Sequence, residues 1–169
     1  MIKYIRQLIR VPAYGAALVT AMALGSIGTS ASEAGNDKQA VLAANAQFYA
    51  ALNKMFVGEL GPMEKLWSHA DDVTYMGPTG QFEHGWSTVY KDWQGQAAMK
   101  LGGTVTPADA QAIVGRDLAV VSDYEQGENT NADGKVAPLK LRATNIYRKE
   151  GGHWKMVGHH TDTLPYLAK

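Results

Sequence analysis

Cysteine is absent from the 169 residues of this chain. That absence excludes a disulfide framework, thiol catalysis, thiolate metal sites and a lipid-modified N-terminal cysteine. A basic excess is missing too: 16 Lys and Arg face 16 Asp and Glu. With no positive stripe to hold a polyphosphate backbone, nucleic acid is not expected as a partner. Charged residues make up only 19% of the chain and hydrophobic ones 46%, which suits one well-buried core in a chain too short for two ordinary domains. No internal repeat or low-complexity tract is visible.

The first stretch differs from the rest. Lys3, Arg6 and Arg10 precede an apolar run from Ala13 to Ile27, followed by the small residues Gly28, Thr29, Ser30 and Ala31. This is the layout of a secretory signal peptide. The run is roughly fifteen residues, short of the roughly twenty that span a bilayer, so no stable membrane anchor is expected after cleavage. Residues 1–31 are therefore expected to be a leader, 32–36 a flexible linker and 37–165 the folded domain, in the periplasm or secreted. Without the leader the balance is 13 basic against 16 acidic residues, a net charge of −3.

From Asp37, an expected N-cap, Val41, Asn45, Phe48, Leu52 and Met55 recur at helical spacing. Gly61-Pro62 opens a short second helix ended by Asp71-Asp72, and Val73 to Met76 reads as a brief strand halted by Gly77, Pro78 and Gly80. A third helix fits Trp86 to Gln96. After Gly102-Gly103 the texture becomes alternating and β-rich over 104–114, 118–128, 139–148 and 154–161, with turn residues between. About three helices followed by a run of strands with short connections predict an α+β fold.

The passage from Leu66 to Pro78, the helix opening at Gly85-Trp86 and the closing segment Gly152 to Asp162 resemble the nuclear-transport-factor-2-like superfamily, the SnoaL-like branch in particular. The resemblance covers most of residues 37 to 163. It implies a cone: a curved antiparallel or mixed sheet wrapped around the N-terminal helices, with a pocket between them. Relatives include ketosteroid isomerases, polyketide cyclases and dehydratases, so the fold does not choose the reaction. Ala70-Asp71-Asp72 resembles the corner of the ketosteroid isomerases, and counting forward without gaps puts Gly77 where they carry their general-base Asp. Phe48 falls where they carry an enolate-binding Tyr. Both groups needed for steroid-isomerase chemistry are thus missing.

In an ideal strand, Trp154, Met156, His160 and Asp162 share one face, and Lys155, Val157, His159 and Thr161 the other. Only one of the adjacent histidines faces the pocket. The resemblance places a His at position 160, and Asp162 on the same side would orient that imidazole, so His160 and Asp162 are the expected catalytic pair. The competing account makes His160 a structural histidine bonded to the first helix. Two such ligands fall short of the three or four that zinc usually takes, and neither a metal nor a cofactor is expected. Arg142 and Thr144 share a face of their strand. Arg142 either binds a carboxylate or enolate oxygen through its planar fork or pairs with Glu125 or Asp123. Tyr75, Trp86, His84 and Phe48 complete the expected ligand contacts, while Asp71 and Asp72 read as solvated or capping groups.

Two functions stay open. One is a pocket for a small, largely apolar molecule, in which His160 and Asp162 carry an isomerase, cyclase or dehydratase step. The other is a non-catalytic binding or interaction module of the cell envelope that forms a homodimer through the outer face of its sheet, where alternation over Leu118 to Tyr124 supplies apolar residues to both sides.

Overall fold

The computed structural model describes residues 26–130 and 133–163. Helix α1 (Ser26–Met55) and the short α2 (Gly61–Leu66) lead into strand β1 (Thr74–Met76), β2 (Phe82–His84) and α3 (Trp86–Met99), after which come β3 (Thr104–Val114), β4 (Leu118–Thr130), β5 (Val136–Glu150) and β6 (His153–Thr163). The expected leader lies outside the described residues as far as position 25. Ser32 to Asn36, expected as a linker, are helical, and Asp37 lies inside α1 rather than capping it. The stretch contains no proline, and the one glycine in it, Gly35, costs a helix only about 1 kcal/mol. None of the described helices is long and apolar enough to cross a membrane.

The six strands form one sheet in the order β2-β1-β6-β5-β4-β3. All neighbours are antiparallel except β1 and β6, which run parallel. The sheet is therefore mixed, and the helices lie against its inner face, as the α+β reading expected. Strand β2 was missed because Phe82 to His84 is too short for a periodic signal. Along α1 the positions Val41, Asn45, Phe48, Tyr49, Leu52 and Met55 are buried, as is Phe56 just past its end, a stripe recurring every three to four residues. Ala119, Val121, Asp123 and Glu125 of β4 and Leu141, Ala143, Asn145 and Tyr147 of β5 point inward to meet it.

Two bulges bend the sheet. In β3 the pairing with β4 slips between Ala108 and Gln111, where Asp109 takes a left-handed φ of 56°. In β6 the pairing with β5 slips between Gly158, opposite Ile146, and Met156, opposite Tyr147. Val157 is the extra residue. A bulge of one residue bends a strand and reverses the face taken by everything beyond it.

Close approach of backbone fixes Gly127, as it does Gly103. A Cβ on Gly127 of β4 would overlap the carbonyl oxygen of Thr104 on β3, its neighbour's partner in the pairing of Val105 with Gly127. Gly127→Ala is expected to lower stability by about 1–3 kcal/mol, the usual cost of overpacking a fitted site, read as a fall in the urea midpoint with an unchanged m-value. A midpoint equal to wild type would show that the two strands have room to part.

Candidate functional site

The Val157 bulge decides which histidine looks inward. Trp154 and Met156 are buried as alternation predicts, but past Val157 the buried residues are His159 and Thr161, while His160 and Asp162 face out. The expectation that His160 faces the cone is corrected on this point: unbroken alternation was assumed through a strand that carries an extra residue. His160 Nε2 does lie 2.9 Å from Asp162, but on the outer face. There the pair shares a polar bowl of about 440 Å³ with Arg142, Thr144, Ser122 and Tyr124. Arg142 is thus on the opposite side of the sheet from Glu125 and Asp123 and pairs with neither.

The remaining expected contacts are scattered. Tyr75 lines an inner cavity of about 280 Å³. Phe48 is fully buried beneath it, its ring 4.7 Å from that of His159. Trp86 stacks on His69 at 4.4 Å and His84 ends strand β2; neither lines the cavity. Asp72 pairs in bidentate fashion with Arg148, at 2.6 and 3.1 Å, and that guanidinium holds its carboxyl below the usual range.

The inner cavity lies between the sheet and the helices. Its walls are largely apolar, with Leu52, Phe56, Trp93, Val105 and Leu141 among them. On one wall lie His159 and Glu125, whose side chains are each 4% exposed and approach to 3.6 Å between Nε2 and Oε1. Phe48, Tyr75 and Trp93 surround the imidazole, with Tyr75 stacked almost parallel at 5.8 Å. Removal from water, reinforced by the neighbouring His160, holds His159 down at about 3. Burial, then the negative charge of Asp123, pushes the Glu125 carboxyl up to about 8. Proximity alone would suggest an ion pair. Desolvation instead leaves a carboxylic acid beside a neutral imidazole at pH 7.

A chain of buried hydrogen bonds runs from this pair to the first helix. Asp123 accepts from Asn45 Nδ2 and from the Tyr49 hydroxyl, each at 2.7 Å. Asn45 Oδ1 accepts from Asn145 Nδ2 at 2.8 Å and from the Tyr147 hydroxyl at 2.9 Å. Asn145 Oδ1 then faces His159 Nδ1 at 2.5 Å. Because the amide of Asn145 is already spent on Asn45, its oxygen can only accept, so the imidazole proton sits on Nδ1. The Nε2 lone pair is left facing Glu125 and the cavity.

Gly77 sits at the mouth. A Cβ there would come within 2.5 Å of the Tyr75 hydroxyl and 2.6 Å of the Gln81 amide. Tyr75 thus fills the space that a side chain at Gly77 would need. Its hydroxyl accepts from Gln96 Nε2 at 2.9 Å, and burial raises its pKa, which keeps it a donor.

A family model for the SnoaL-like domain matches residues 41–164. The chain belongs to the SnoaL-like family. Solved structures agree on the fold. A candidate dehydratase of the NTF2-like family from Streptomyces avermitilis is 22% identical, with 77% of this chain and 97% of that one covered at a TM-score of 0.69. An NTF2-like protein with a cystatin-like fold from Novosphingobium aromaticivorans is 14% identical over 84% and 92%, at 0.63. A candidate ketosteroid isomerase from Shewanella frigidimarina is 19% identical over 70% and 90%, at 0.57. At such identities the likeness carries the fold alone. No protein with curated function matches.

Within this SnoaL-like cone, the sequence reading turns His159 away from the pocket, gives Glu125 no role beyond a pairing with Arg142 and Asn45 none beyond the helical stripe, and does not single out Asn145. One signal for them was present: Ala119, Val121, Asp123 and Glu125 alternate on one face whose first members are apolar, which turns two acids inward. Asn45 within the apolar stripe of α1 was the second.

The shifted groups set a pH dependence of stability. Native Glu125 keeps its proton to about pH 8, whereas the carboxyl of an unfolded chain releases it near 4.5, so stability falls as pH rises through that window. His159 acts oppositely between about 3 and 6.5, where the unfolded chain binds the extra proton, and the two offset one another between about 4.5 and 6.5. Glu125 stands alone from about pH 6.5 to 8. Across that interval wild type is expected to lose up to about 2 kcal/mol from this group, at about 1.4 kcal/mol per proton and pH unit. Glu125→Gln should lose measurably less in chemical denaturation at the two pH values. Parallel losses in both proteins would mean that Glu125 is already ionised at neutral pH.

Proposed function

We propose that this SnoaL-like protein is an acid–base catalyst acting on a small, largely apolar molecule in the inner cavity, in an isomerase, cyclase or dehydratase type of step. The observation that carries the reading is the approach of the Glu125 carboxyl to the His159 imidazole, 3.6 Å apart and both almost fully buried, on one wall of the cavity.

Alone, His159 is a feeble base, because an imidazolium in that aromatic box is costly. In concert with Glu125 it is not. As His159 Nε2 takes a proton from a carbon next to a carbonyl, Glu125 gives its own proton to another atom of the same molecule. The resulting carboxylate faces the new imidazolium, and their attraction in a dry site offsets the desolvation that opposes either charge singly. Asn145 Oδ1 steadies the imidazolium through Nδ1. The Tyr75 hydroxyl donates to the carbonyl oxygen as negative charge grows there. Return of the proton from Nε2 to Glu125 restores the starting pair, so an isomerisation needs no external acid or base.

Hydrogen exchange at carbon tests this without knowledge of the natural substrate. Wild-type protein in D₂O is expected to exchange the α-protons of small ketones such as 2-cyclohexenone faster than buffer, as followed by proton NMR. Glu125→Gln and His159→Gln, checked for native circular dichroism, should each slow that exchange by about 10²-fold, the usual weight of a positioned acid or base. Exchange no faster than buffer, or indifferent to both substitutions, would remove the catalytic reading.

We also propose that the outer face pairs two copies of the chain. Ile113, Val120 and Ile146 are register partners across β3, β4 and β5, forming an apolar row on that face, and Ile113 is 78% and Leu118 53% exposed. Light scattering should report a dimer for wild type and a monomer for the Ile113→Lys, Leu118→Lys double variant. A monomeric wild type at tens of micromolar would exclude the pairing.

A further inference from the structure

Helix α3 brings a second polar pair to the wall of the inner cavity. Asp92 and Gln96 stand one turn apart on it and both line the cavity, a spacing that lets their side chains meet. The amide nitrogen of Gln96 lies 2.6 Å from Asp92 Oδ2 and 2.9 Å from the Tyr75 hydroxyl oxygen. A hydroxyl both accepts and donates, so Tyr75 by itself does not decide which end of the amide faces it. The carboxylate decides, because it can only accept. The nitrogen is thereby turned toward Asp92, and it offers one proton to the carboxylate and the other to Tyr75.

The consequence falls on Tyr75. With its oxygen accepting from Gln96, its own proton is directed elsewhere, and among the described residues no acceptor meets it. The ring itself is held: Trp93 packs on it with centroids 4.4 Å apart, His159 lies nearly parallel at 5.8 Å, and the residue is 2% exposed. What remains free is rotation of the hydroxyl about its C–O bond, which the bond from Gln96 governs. Burial raises the pKa of this hydroxyl, and Gln96 works against that rise, since a donor to the oxygen favours the phenolate.

We infer that Gln96, its amide turned by Asp92, is a positioning residue: it keeps the oxygen of the Tyr75 hydroxyl accepting from α3 and the proton presented to a carbonyl oxygen in the inner cavity. This rests on the inner cavity as the ligand site and on Tyr75 as a donor there, as proposed above, but not on Glu125 or His159. Asp92 and Gln96 act through Tyr75 and move no proton themselves.

The carbonyl stretch of 2-cyclohexenone, labelled with carbon-13 at the carbonyl, reads this bond in difference infrared spectra, because a donor lowers its frequency. With the ketone in excess over protein of native circular dichroism, and the signal of free ketone in buffer subtracted, wild type is expected to show a band below that of the ketone in cyclohexane. Tyr75→Phe should lose it. Position 96 separates orientation from packing. Gln96→Glu puts an acceptor where the amide nitrogen was, which captures the Tyr75 proton, so the band should be lost as in Tyr75→Phe. Gln96→Leu removes the orienting bond but supplies no acceptor, so the band should persist at a higher frequency. A Gln96 that served packing alone would give the reverse order, since glutamate keeps its shape and leucine does not. A wild-type band in Gln96→Glu, or no lowered band in wild type, would overturn the inference. A band that follows positions 75 and 96 as expected, in a protein that shows no Glu125-dependent hydrogen exchange, would uphold it and remove the catalytic reading alone. Glu125-dependent exchange without such a band would do the opposite.

Discussion

The buried run of hydrogen bonds from Asp123 through Asn45 and Asn145 to His159 is the constraint on which the rest of the site depends. It joins the first helix to β4, β5 and β6 at the centre of the cone. Each amide in it has one direction available, because its neighbour has fixed which end donates. Asp123 anchors the direction at one end, and the imidazole tautomer is the result at the other. A half-satisfied network would cost more than an apolar core in the same place. Tyr49 and Tyr147 close the remaining positions on Asp123 and Asn45.

Curvature then determines what that network serves. The bulges in β3 and β6 bend the sheet around the helices, and the inner cavity occupies the space between them. Within it the aromatic rings of Phe48, Tyr75 and Trp93 strip water from His159. Asp123 and burial together keep the proton on Glu125. Neither group departs from ordinary behaviour by its own chemistry. The same pairing of carboxyl and imidazole on the outer face, Asp162 with His160, is open to water.

Much of the architecture was readable from the residues. The apolar stripe of α1, the turn residues between β3, β4, β5 and β6, and the motif around Trp67 to Pro78 led to the right layers and strand assignments. The site was less readable, for two physical reasons. Periodicity locates a face only while the period holds, and the extra residue at Val157 leaves no mark that sequence alone distinguishes from a regular strand. A valine there is as good a strand former as any. The other reason concerns Asp123 and Glu125, which read as ion-pair partners for Arg142 until the apolar residues on their own face are counted. Asn45 and Asp123 are buried through a hydrogen bond that spans about eighty positions of chain, which no local window reports.

The Val157 bulge has an evolutionary consequence. His159 and His160 are neighbours on one strand, one enclosed by aromatic rings and the other beside Asp162 in water, and a single residue of chain length decides which is which. Loss of the bulge with no residue removed, Val157 pairing with Ile146 and each later residue slipping by one partner along β5, would turn His160 and Asp162 into the cavity and send His159 to the surface. The strand thus encodes two alternative sets of cavity groups at once. Change of the cavity groups in such a lineage requires no new side chain, only a one-residue slip of β6 against β5 among residues already present.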